Sequence, residues 1–258
     1  MSYLYDKLDT DDMNISSGEE KEIQITKDAI HLLFDFPNGN TDSAPRPQDN
    51  HSIDDLNKEL GFIPSPKKES LTIKWLMDKL AVEATKVSDE SDKLTVKIFF
   101  IILFKKVVLA DSSPRFNRVA SMVKGDLDYE KMATMDFCQL IVEEIRRGDK
   151  SWKEHMPERK NTKHIEGLAL APAIMYLDTL LVPMNPKTLR KIAEKTNNNK
   201  ETPRVNHLLE TDLRAITKAD MIIDGKDRPD DYKFGKLQVW FYTLSNFRLP
   251  VIVTAFQI

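Results

Sequence analysis

The chain has a single cysteine, Cys138, in 258 residues, so no internal disulfide can form. Its first residues carry no apolar signal core and lack the Arg-rich, acid-poor make-up of a transit peptide, which places the expected compartment among the reducing ones, cytoplasm or nucleus. The N-x-S sequons at Asn14 and Asn50 then carry no meaning. Glycine is equally scarce: eight residues stand singly at positions 18, 39, 61, 125, 148, 167, 225 and 235, never in the spacing that lets a backbone cradle phosphate. The five histidines, His31, His51, His155, His164 and His207, form no HExxH or short paired spacing for zinc. No serine occupies a GxSxG elbow. The longest apolar run, Ile98–Phe104, is seven residues, against about 20 for a bilayer span. These absences leave no expected cofactor, metal or membrane anchor, and make a non-enzyme the expectation.

What is present is the composition of a soluble, mostly helical protein: 41% hydrophobic and 31% charged residues, with a net charge of −3. The charge is uneven. Residues 1–50 hold eleven acids against four bases, and the rest holds thirty acids against thirty-four bases. The sequence pI near 6.0 is not that of a polyanion binder, so nucleic acid is not the expected partner. The densest basic stretch contains Arg146, Arg147, Lys150, Lys153, Arg159, Lys160 and Lys163, with Gly148, Pro157 and Asn161 reading as loop punctuation. A solvated linker is the plain reading of that mixed-charge run, and a phosphate-contacting or partner-docking loop the functional one.

Helical signals dominate. Thr26 stands at an N-cap before Ile30, Leu32, Leu33 and Phe34, and Pro37-Asn38-Gly39 stops that helix. Ser52 with Asp55 resembles a capping box, closed by Gly61. Ile73, Leu76, Met77, Leu80, Ala81 and Ala84 recur at three and four, which predicts an amphipathic helix with those residues inward. Leu94–Ala110 reads as a helix apolar all round, ended by Asp111-Ser112-Ser113-Pro114. Thr134 is the expected cap of a helix burying Phe137, Leu140, Ile141 and Ile145; Gln139, Glu143, Glu144, Arg146 and Arg147 face outward, Glu143 pairs with Arg147, and Gly148 is the stop. Ile165–Val182 is a second nearly all-apolar helix, kinked by Pro172. The segment after Pro183 reads as polar with a loop at Asn197-Asn198-Asn199, followed by a short helix over Thr211–Met221. Strand composition is confined to Gln238–Thr243 and Val251–Phe256.

Several motifs, in order, resemble one family: the plant-specific helical domain of transposon-derived proteins found upstream of a cysteine protease domain that removes ubiquitin-like modifiers. The marks are Ile23-Gln24-Ile25-Thr26, then His31 with Pro37 and Gly39; the apolar helix Phe99–Pro114; Phe137-Cys138-Gln139-Leu140-Ile141; Ile165-Glu166-Gly167 with Tyr176-Leu177-Asp178-Thr179-Leu180; Pro203-Arg204-Val205; and Phe234-Gly235-Lys236. Asp35 stands where the family has its first glycine, and Asn246–Ile258 matches nothing in it. The resemblance implies a truncated member without the protease domain. It carries over no catalytic residue and implies an interaction role, by analogy extending to lineage-specific pairs of the hybrid-sterility or toxin-antidote kind.

The expected fold is all-α: an irregular multi-helix bundle with two strongly apolar central helices and a short β-rich C-terminal tail. The expected organisation is an acidic leading segment over 1–25, one helical domain over 26–240 and an apolar tail over 241–258. The expected function is docking of a protein partner, with Trp240, Phe241, Tyr242, Phe247, Val251, Ile252 and Val253 as the candidate surface. Two alternatives are a nuclear nucleic-acid-associated factor using the Arg146–Lys163 stretch, and a residual hydrolase using Cys138. A lone cysteine within a helix is ordinarily a small buried hydrophobe.

Overall fold

The computed structural model describes residues 2–16, 22–39, 42–43, 46–48, 52–64, 70–110, 113, 115–124, 129–154, 167–197, 208–221 and 237. It is mostly helical. The chain opens with α1 (Ser2–Lys7), β1 (Leu8–Asp9), β2 (Asn14–Ser16), β3 (Glu22–Gln24) and α2 (Lys27–Phe34). There follow β4 (Asp42–Ser43), α3 (Asp54–Leu60), α4 (Ile73–Glu83) and α5 (Asp89–Leu103), the last continuing as a π-helical turn over Phe104–Val108. Then come α6 (Asn117–Met122), α7 (Tyr129–Thr134), β5 (Met135–Asp136), α8 (Phe137–Glu154), α9 (Leu170–Thr179), α10 (Lys187–Asn197) and α11 (Glu210–Asp220).

The residues group into two compact units, one of 1–36, 149–161 and 169–258, the other of 37–148 and 162–168. The first contains a small sheet that strict alternation did not announce, because its strands are only two or three residues long. β1 pairs antiparallel with β2, Leu8 opposite Ile15, and β2 with β3, Ile15 opposite Ile23. Leu8, Ile15 and Ile23 are all buried, and so are Leu4 and Tyr5 of α1 and Ile25 and Ile30 beyond the sheet. Thr26 caps α2 as read, its hydroxyl accepting from the Ala29 amide at 3.1 Å, while Asp35 at φ 53° closes the helix ahead of Pro37. The resemblance's missing glycine is therefore a left-handed position held by an aspartate, one of the few side chains that tolerate it. In α9 Pro172 falls in the first turn, where its missing N–H is not needed, so the proline starts this helix instead of kinking it. α10 occupies the polar segment after Pro183 and ends at Asn197, the first of the three asparagines read as a loop, and α11 lies one residue from its expected bounds.

The second unit is built on α5 and the first three turns of α8. Ser88 caps α5, accepting from the Ser91 amide at 3.1 Å, so the helix starts at Asp89, ahead of the expected Leu94. Ile98, Ile101, Phe104, Val108 and Leu109 are fully buried, whereas Phe99, Phe100, Ile102 and Leu103 are half-buried. The Phe104 ring stacks on Phe137 at 5.7 Å. Asp136, not Thr134, caps α8: its carboxylate accepts from the Gln139 amide at 2.8 Å. Gly61, at φ 67°, ends α3 as read. Gly148 ends nothing, and α8 continues to Glu154.

Candidate functional site

The continuation of α8 changes what the basic stretch is. Arg146, Arg147, Lys150 and Lys153 lie on a helix, and Arg159, Lys160 and Lys163 lie outside the described residues. Helical spacing brings two of these bases onto buried carboxylates of the same helix. In the second unit Glu144 is buried, not outward-facing: Arg118 Nη2 lies 2.7 Å from both of its oxygens, and Arg147 Nε donates to Oε2 at 3.1 Å. Arg147 thus pairs three residues back with Glu144, while Glu143 meets Arg46 at 3.7 Å on the surface. Gly167 is required beside this cluster. Its φ is +83°, and a Cβ there would fall 2.7 Å from the Glu144 carbonyl oxygen.

In the first unit Asp149 is fully buried. Its Oδ2 accepts from Thr10 Oγ1 and from Lys153 Nζ, the latter at 2.8 Å, and the same ammonium reaches Thr10 Oγ1 at 2.9 Å and the Leu8 carbonyl. Trp152 Nε1 donates to Asp6 at 3.0 Å. The Tyr5 hydroxyl and Asp149 Oδ1 are both buried without a hydrogen-bond partner. Burial, and after it the Asp149 charge, push the Tyr5 phenol well above its ordinary range.

A third feature is apolar. The periodic stripe of α4 is wider than what the unit covers. Leu76 is buried and Ile73 and Leu80 half-buried, but Met77 is 58% exposed and Ala81 and Ala84 lie outside with it. The place of the missing apolar neighbours is taken by Glu83, which is buried at the α4–α5 connection and accepts from Lys86 Nζ at 2.7 Å, Ser91 Oγ at 2.7 Å and pairs with Lys79 at 2.9 Å. Those donors, Lys86 first, hold the carboxyl down at about 2. Glu83 and Leu76 are the buried positions of α4, and the Met77–Ala81–Ala84 half of the stripe faces solvent. Hydrophobic periodicity could not show that, because it counts apolar residues and not the charge that competes with them.

Cys138 is fully buried in the first turn of α8, its thiol enclosed. His31 Nδ1 donates to the Phe36 carbonyl at 2.7 Å, closing the end of α2. Among the described residues no three His, Cys, Asp or Glu side chains gather as metal ligands, and no helix is long and apolar enough to cross a membrane. Trp240, Phe241, Tyr242, Phe247, Val251, Ile252 and Val253 lie outside the described residues. Neither a curated protein nor a solved structure matches the chain. Residues 1–172 match the model of the family described as Domain of unknown function (DUF8566), and the chain belongs to that family.

Proposed function

We propose that this chain is a non-enzymatic protein-binding module that docks a helical partner on the exposed half of α4. The observation that carries the reading is the Met77–Ala81–Ala84 stripe, an apolar row at helical spacing that the chain's own packing leaves open. A flexible methionine beside two small alanines suits the ridge of a partner helix, which packs into the groove that small residues leave. Val87, just past the helix end, is fully exposed as well. Protein is favoured over nucleic acid because Arg147 and Lys153 are neutralised by Glu144 and Asp149, which weakens the basic stretch as a phosphate-binding surface. The motif order resembling the transposon-derived helical domain supports the same reading, with a cytoplasmic or nuclear partner that the module neutralises or redirects.

The test is affinity purification from the source tissue with the wild-type chain and the Met77→Asp, Ala81→Asp double variant, helicity of the two being matched first by circular dichroism. A specific protein lost with the variant is the expected result. A partner retained equally by both overturns the α4 surface, and recovery of nucleic acid alone, lost as salt rises, overturns the protein-binding reading.

A further inference from the structure

The buried but incompletely paired cluster at the last turns of α8 shares no residue with the α4 surface. We propose that Ser2–Thr10 is a strap, fastened to α8 by Lys153 and Asp149, that detaches while the other elements of its unit stay folded. Beside the buried Leu4, Tyr5 and Leu8, the strap has a polar fastening on α8. One ammonium, Lys153, reaches Leu8, Thr10 and Asp149 together, Thr10 also donates to Asp149, and Trp152 holds Asp6.

Docking carries a built-in cost. The Tyr5 hydroxyl and Asp149 Oδ1 are buried without partners, and both regain water when the strap lifts, which offsets part of the cost of exposing Leu4, Tyr5 and Leu8. The joint is weak as well. β1 meets β2 over two residue pairs, against three between β2 and β3, where the Ile25 amide also donates to the Met13 carbonyl at 2.8 Å. The turn between β1 and β2 is preformed, with the Asp9 carboxylate accepting from the Asp11 and Asp12 amides at 2.9 and 3.0 Å, and it contains Met13 in the left-handed region at φ 52°, a conformation a methionine adopts only under constraint. Lifting exposes the strap's own Leu4, Tyr5 and Leu8 and uncovers the Asp149–Lys153 pair on α8. The strap is thus a gate over that pair, and Lys153 its fastening.

Hydrogen exchange followed by mass spectrometry on the full chain tests this with two substitutions of opposite expected sign. Strap amides exchange faster in the wild type than those around Ile30 in α2 and Tyr176 in α9, which belong to the same unit. Tyr5→Phe removes an unpaired hydroxyl and keeps the ring, so it slows strap exchange by about tenfold. Lys153→Met speeds it by about a hundredfold, with the α2 and α9 amides unchanged. The proposal is overturned if strap amides exchange only as fast as those of α2 and α9, or if Tyr5→Phe speeds their exchange. Should Lys153→Met fail to fold, Tyr5→Phe decides alone.

Discussion

Glu144 and Asp149 stand five residues apart on one helix, both buried, both acidic and each beside a base one helical turn further on. Their surroundings differ. Both oxygens of Glu144 are taken by guanidinium groups, so this carboxylate is closed. Asp149 has one oxygen committed to Thr10 and Lys153 and the other without a partner, near an equally unpaired tyrosine hydroxyl. A buried carboxylate with both oxygens paired ties its surroundings to global unfolding. One left partly unpaired makes its neighbourhood the first to open.

The largest effect that tests this contrast is expected from Glu144→Gln. It leaves the nearly buried Arg118 without its counter-charge and should lower stability by about 3–5 kcal/mol, read as a fall in the urea midpoint of the helical signal. If the midpoint is unmoved, the cluster is not the fastening its geometry describes. Lys153→Met acts on the other side of the comparison and is expected to change strap exchange far more than the midpoint.

An acid titration sharpens the closed type further. Glu83, held at about 2 against an ordinary 4.5, has its carboxylate stabilised in the folded state. The sign follows: its contribution is fully present above pH 4.5 and is lost as pH falls toward 2, so Glu83→Gln should flatten the acid limb of stability over that window. An unchanged acid limb would contradict the pairing with Lys86, Lys79 and Ser91. The smallest effect belongs to a pair with no burial at all. Arg214 and Glu210 meet at 2.6 Å on α11 with both side chains more than three-quarters exposed, and Arg214→Ala should cost no more than about 0.5 kcal/mol.

Much of the local structure was legible without coordinates. The Thr26 cap, the Gly61 stop and the extent of α11 follow from side-chain chemistry within a few residues, which is why they needed no tertiary information. The misreadings share a cause. Gly148 reads as a stop but lies buried within α8, where glycine costs only about 1 kcal/mol against alanine and the helix gains the Asp149 and Lys153 contacts beyond it. The sheet of β1, β2 and β3 was missed because two- and three-residue strands carry no periodicity, and their pairing partners are decided by register.

The α4 surface was half legible: its six apolar positions were identified, but their shared inward orientation was not realised. The sequence by itself determined that this is a mostly helical chain with its apolar residues at helical spacing, because propensity, capping and period act locally. Tertiary structure decided which half of the α4 stripe is covered, which base meets which buried acid on α8, and which polar atoms go without a partner. Lys79, Lys86, Arg147 and Lys153 lie within about a turn of the acids they meet, but whether those acids are buried depends on elements distant in sequence, as where Arg118 reaches Glu144 and Thr10 reaches Asp149.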